Sequence, residues 1–182
     1  MEVPKLHLIP STDQTRPAGT FIRLTALTCG ATDYFSAVIL RTIEIFGNTF
    51  NELEGEIYIH PNDWKKFCAP GVVSVQFADG LFTVVHGKKP VEIFKAAKCD
   101  ERFPAISTIM PEDHDYTEQA SMCFDPALLL KVSEAIYPAN WKGRKSVNIF
   151  SRGPGKNIIV KPNNLNNEFT IKATIMPTMS CL

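Results

Sequence analysis

The chain has 182 residues, room for one ordinary domain or two small ones. Apolar residues make up 45% and charged residues 21%, a balance that gives a packed core and excludes intrinsic disorder. Lys plus Arg and Asp plus Glu both number 19, so the net charge is zero and any affinity for a polyanion has to come from where the charges lie. Apolar runs such as "AVIL" and "ALLL" are far too short for a membrane span, and "MEVPKLHLIPS" lacks the basic-then-apolar pattern of a signal peptide. A cytoplasmic protein with no membrane partner is the expectation. Its cysteines, Cys29, Cys68, Cys99, Cys123 and Cys181, are odd in number, scattered and without a CxxC pair, which predicts free thiols and no cysteine metal site.

Along residues 1–50, "KLHLIPS" and "FIRLTALT" read as strands joined by "STDQTRPAGT", and "DYFSAVILRTIEIF" as a further long strand. From residue 51 the pattern changes. "EIYI" is a short strand, followed by a helix over "PNDWKKFC" with Pro61 in its first turn, where a missing N–H costs nothing. Trp64, Phe67 and Cys68 form its apolar side, Lys65 and Lys66 its polar side, and Pro70 ends it. Three alternating strands follow, "VSVQF", "LFTVVH" and "PVEIF", with "ADG" and "GKK" as turns. "FPAISTIMP" and the acidic stretch "EDHDYTE" close this part.

The same order then recurs. A strand runs into Asp125, a good N-cap, and Pro126 opens the helix "PALLLKVSEAIY", whose Leu129, Val132 and Ile136 share one face before Pro138 stops it. "SVNIF", "RGPG" and "NIIVK" form a hairpin, and "FTIKATIMP" ends the pattern. "TIMP" thus occurs twice, at Thr108–Pro111 and Thr174–Pro177, at nearly the offset that separates Pro61 from Pro126. Two landmarks in register predict a duplicated β-α-β-β-β module, over 51–118 and 119–182, packed side by side in an α+β fold. Residues 1–50 are then an additional N-terminal strand unit, the strand part of a third module.

Catalytic chemistry finds little footing. His7, His60 and His86 are scattered, with no HExxH or Ser–His pattern. "SRGPGKN" lacks phosphate-loop spacing and a following helix, and reads as a hairpin turn. Asp113, His114 and Asp115 are consecutive, so they cannot all turn toward one ion on a regular element, and a metal-dependent enzyme built on them is the weakest reading. No catalytic residue, metal or cofactor is expected. On sequence alone, Lys65-Lys66 and "WKGRK" are a solvated face and a turn.

Three stretches together resemble the bacterial DNA sliding clamp, the β subunit of the replicative polymerase. "ATDYFSAV" (Ala31–Val38) is similar to that family's "ATDGHRLA", "ERFPAISTIMPE" to its "GRFPDYRRVLPK", and "IKATIMPTMSCL" to its chain end "YVVMPMRL". The likeness runs from about residue 18 onward but covers only about half of a full-length clamp. It implies a DNA-clamp-like fold and two surfaces. One would present Lys65, Lys66, Lys131, Lys142, Arg144 and Lys145 to the phosphates of double-stranded DNA without reading bases. The other would be a hydrophobic pocket for short motifs of polymerase, clamp loader or other clamp-binding proteins, walled by Thr32, Phe35, Ala37, Pro104, Thr108, Ile109, Met176, Pro177 and Met179. Tyr34-Phe35-Ser36-Ala37 stands where the family has Gly-His-Arg-Leu, and Met179-Ser180 where it has Arg-Leu, which changes the pocket's shape. The implied activity is that of a non-enzymatic processivity factor that self-associates around DNA. The alternative is a clamp-derived interaction module or inhibitor, of phage or mobile-element origin, that binds partner proteins or a host clamp without encircling DNA.

Overall fold

The computed structural model describes residues 2–106, 125–142, 145–151, 157–163 and 172–176. The N-terminal stretch expected as a strand is instead a 3-10 turn, Leu6–Leu8. Leu6 and Leu8 mimic strand alternation, but the pair that buries completely is Leu6 and Ile9, spaced for a tight turn, while Leu8 is exposed. The stretch from residue 21 also divides. β1 (Ile22–Thr25) and β2 (Thr28–Thr32) pair antiparallel across a turn at Ala26-Leu27. The Thr25 hydroxyl accepts from the Thr28 N–H and donates to the Thr28 carbonyl, both at 3.0 Å, which fixes that turn.

β3 (Ser36–Arg41) pairs with β2 and then gives way to a short helix, α1 (Thr42–Phe46), where a single long strand was expected. The break is made by Thr42, whose N–H donates to the Leu27 carbonyl at 3.0 Å and whose hydroxyl donates to the Thr25 carbonyl at 2.8 Å. Beyond it Ile45 and Phe46 turn inward at helical spacing. Gly47, at φ +56°, carries the chain out of α1 in a conformation that favours glycine.

β4 (Glu56–Ile59) pairs with the free side of β1, and α2 (Pro61–Phe67) follows with Pro61 in its first turn and the His60 ring accepting from the Asn62 N–H. β5 (Val72–Ala78), β6 (Leu81–His86) and β7 (Lys89–Lys95) form a separate three-stranded antiparallel sheet. Asp79 and Gly80, both at positive φ, make the tight β5–β6 turn read from "ADG". α3 (Pro126–Ala135) is capped by Asp125, which accepts from the Ala127 N–H at 2.8 Å. β8 (Val147–Ser151), β9 (Ile158–Pro162) and β10 (Lys172–Ile175) complete the elements, and β10 carries Thr174 and Ile175 of the second "TIMP". The first "TIMP" lies outside the described residues.

The larger sheet is antiparallel with the order β4-β1-β2-β3-β10-β9-β8. No described strand of 51–118 therefore pairs with a described strand of 119–182; the N-terminal strands stand between them. The main core lies on one face of this sheet. There α1, α2 and the small sheet meet around edge-to-face and tilted contacts among Phe46, Phe50, Trp64, Phe67, Phe77 and Phe82, and α3 adds Val132 and Ala135 to the same core against β3, β9 and β10. The N-terminal segment is wedged against both α2 and α3. The Trp64 indole N–H donates to the Pro4 carbonyl at 2.8 Å, and the Ala139 N–H donates to the Val3 carbonyl at 3.1 Å. On the opposite face the chain after β7 folds back, bridging Ala97 to Tyr58 and packing Phe103 and Ile106 on Ala37.

Candidate nucleic-acid and peptide surfaces

The turn between β2 and β3 is built around Asp33. One carboxylate oxygen accepts from the backbone N–H groups of Phe35 and Ser36 and from the Ser36 hydroxyl. Its second oxygen takes the ammonium of Lys131, reaching over from α3. Thr32 works from the other side, donating its hydroxyl to the Ser36 carbonyl and accepting from the Tyr34 N–H. This clamp holds Tyr34 at φ +71°, the position at which glycine stands in the resembled motif. A Cβ on Gly19 would stand only 2.4 Å from Tyr34 Cε2, so the ring occupies space that Gly19 leaves open, and the Arg16 guanidinium lies over it at 5.0 Å.

The turn pushes Phe35 outward, 63% exposed, and its carbonyl accepts from the Met176 N–H at 2.9 Å just past the end of β10. Thr32, Ala37 and Thr174 lie side by side across β2, β3 and β10 and are buried. Four of the nine pocket residues, Thr32, Phe35, Ala37 and Met176, are thus brought together. Pro104 lines a groove that extends toward the β1–β2 turn. Thr108, Ile109, Pro177 and Met179 lie outside the described residues. Asp33, Tyr34 and Lys131 are the residues that sequence reasoning missed for this surface. Asp33 carried a signal, an Asp three residues before a Ser in a turn.

The basic residues are more dispersed. Lys65 and Lys142 are exposed. Lys66 is drawn onto the small sheet by Asp63 at 2.9 Å and Glu92 at 3.2 Å, over the Phe94 ring, and the hydrogen bond to Asp63 is the main cause holding its pKa above the usual lysine value. Lys131 is committed to Asp33, and Lys145 to Glu134, which Lys5 also approaches at 3.7 Å. Arg144 lies outside the described residues. Each such pair removes a positive charge from the field a phosphate backbone would meet.

No catalytic geometry emerges among the described residues, and no group of three His, Cys, Asp or Glu side chains there could hold a metal. His7 sits 4.0 Å from the Cys68 sulfur, but burial and then the charges of Lys65 and Lys5 hold its pKa at about 4, and burial pushes the Cys68 thiol up to about 12. Both are neutral near pH 7, so the pair has neither a thiolate nor an imidazolium. The acidic residues 112–118 lie outside the described residues, and no helix among those described is long and apolar enough to cross a membrane.

No protein-family model and no curated protein matches this sequence. Solved structures do. The β chain of DNA polymerase III from Streptococcus pneumoniae is 11% identical with a TM-score of 0.64, over 96% of this chain and 60% of that one. The DNA polymerase sliding clamp from Bacillus subtilis is 12% identical with a TM-score of 0.60, over 98% and 63%. That from Pseudomonas aeruginosa is 10% identical with a TM-score of 0.59, over 98% and 66%. At such identities the likeness is one of fold: the chain has the α+β architecture of the bacterial sliding clamps, as the three motif stretches implied. It spans under two thirds of the length of each.

Proposed function

We propose that the protein is a non-enzymatic replication accessory of the sliding-clamp kind. The observation that carries this reading is the fold match over 96% of the chain, supported by the turn that presents Phe35 beside Met176. In this reading the units 1–50, 51–118 and 119–182 derive from duplicated clamp modules, the protein works in the cytoplasm, and copies self-associate around double-stranded DNA. The Phe35–Met176 surface receives short motifs from a polymerase or clamp loader. Of the described candidate cations, Lys65 and Lys142 are exposed, while Lys66, Lys131 and Lys145 would have to leave carboxylates to reach phosphates.

That pairing, with the zero net charge, favours a second reading: an interaction module that binds protein partners through the same surface and never encircles DNA. One experiment separates the two. Mass is measured by light scattering with and without nicked circular DNA, and retention is compared for circular and linear forms. Encirclement predicts a closed oligomer that stays on circles and slides off linear ends, with retention lost in a Lys65→Glu/Lys142→Glu variant. A persistent monomer at high concentration, indifferent to DNA topology, overturns the processivity reading and leaves the interaction module.

A further inference from the structure

A groove of about 620 Å³ opens on the outer face of β1, β2 and β3, beneath the segment Arg102–Ile106. Its volume is in the range of sites that take small molecules and short peptide segments. The floor is apolar, with Gly30 buried in it where strand β3 and Ile106 close over its backbone. A Cβ on Gly30 would come within 2.8 Å of the Val38 carbonyl and 3.7 Å of Ile106 Cδ1. Ile39 and Ile106 supply the aliphatic surface on either side.

The rim is charged and unbalanced. Arg23 Nε donates to Glu56 Oε2 at 2.6 Å, so one guanidinium is matched. Arg102, exposed at the same rim, forms no ion pair with a carboxylate among the described residues, although its field reaches Glu56. Among the described residues, two cations therefore face one carboxylate above an aliphatic floor. A free phosphate or polyanion would satisfy the rim but leave the floor wet. A ligand that carries an aliphatic side chain next to a carboxylate satisfies both, since a guanidinium fork matches a carboxylate in plane.

We propose that this groove is a second docking site, for a short extended segment of a protein partner bearing an aliphatic side chain for the Gly30–Ile39–Ile106 floor and a carboxylate for Arg102. Of the described residues assigned to the pocket around Phe35 and Met176, it shares Pro104 but not Thr32, Phe35, Ala37 or Met176. The site stands whether or not the protein encircles DNA.

The test uses the full chain and a fluorescein-labelled peptide, Gly-Val-Asp-Leu-Gly, with a control in which Asn replaces Asp. Saturable binding is expected, with methyl NMR shifts at Ile39 and Ile106. The Asn control and an Arg102→Glu variant should each bind about tenfold or more weakly, the scale of one charge-assisted hydrogen bond. Arg102 is exposed, so the spectrum of the variant also reports that the fold is intact. A Phe35→Asp variant should bind the peptide unchanged. No saturable binding, or binding indifferent to Arg102→Glu, overturns the proposal. Shifts confined to Phe35 and Met176 also overturn it, while leaving the pocket of the proposed function standing.

Discussion

His7 shows how a single side chain ties acid stability to the packing of the N-terminal segment. Burial first, then Lys65 and Lys5, hold its folded pKa at about 4, against 6.5 for an ordinary imidazole. Between these values the unfolded chain binds a proton that the folded chain refuses, so stability falls as pH is lowered through that window. Urea midpoints measured across it should decline in the parent protein and decline less in a His7→Gln variant. Equal slopes in both would show that His7 is not the group responsible. At still lower pH the loss should continue, because Glu56 and Glu134 are held below the ordinary carboxylate range, chiefly by hydrogen bonds from Tyr58 and Lys145. The same scale decides what could be read of the candidate pocket. Thr32, Phe35 and Ala37 fall within one motif, and β10 brings Met176 to them. Lys131 could not be assigned to Asp33 in advance, because 98 residues separate them and only the docking of α3 unites them.

Elements were legible where their signals are local. α2 and α3 begin at proline after a capping residue, and the β5–β6 turn carries Asp-Gly, so each follows from a few adjacent side chains. The break of β3 into α1 was not legible. Ile39, Arg41, Ile43 and Ile45 alternate like a strand, and the chain bends because Thr42 is tied to Thr25 and Leu27 on another hairpin. Local capping also makes a prediction. Replacing Asp125 with Ala removes the acceptor for the Ala127 N–H and should lower stability by about 1 kcal/mol, with Asp125→Ser retaining most of it. Chemical denaturation of the three proteins checks this, and an unchanged midpoint for Asp125→Ala would mean that the start of α3 is held by tertiary packing instead.

For the whole molecule, the N-terminal segment serves as a wedge between two helices that belong to different parts of the chain. Val3, Leu6 and Ile9 are almost wholly buried, and Trp64 relies on the Pro4 carbonyl for its indole N–H. Removing residues 1–9 takes away three buried aliphatic side chains, on the order of 5 kcal/mol. That rivals the roughly 5–15 kcal/mol that stabilises a typical domain. A chain lacking them should lose its cooperative thermal transition and show red-shifted tryptophan emission as Trp64 meets water. Retention of a sharp transition near the parent's would assign the segment a peripheral role.

The place of β10 has its own consequence in time. It pairs with β3 on one side, Lys172 opposite Ile39, and with β9 on the other, so a strand far along the chain from β3 fills a slot in the middle of the large sheet. During synthesis β3 leaves the ribosome well before β10 and waits for its neighbour while the chain between them is still being made. Closure of so long a loop is slow, and an unfilled strand edge is open to wrong partners in the meantime. Newborn chains of this protein should therefore depend on chaperones that shield the bare edge of β3 until β10 has emerged.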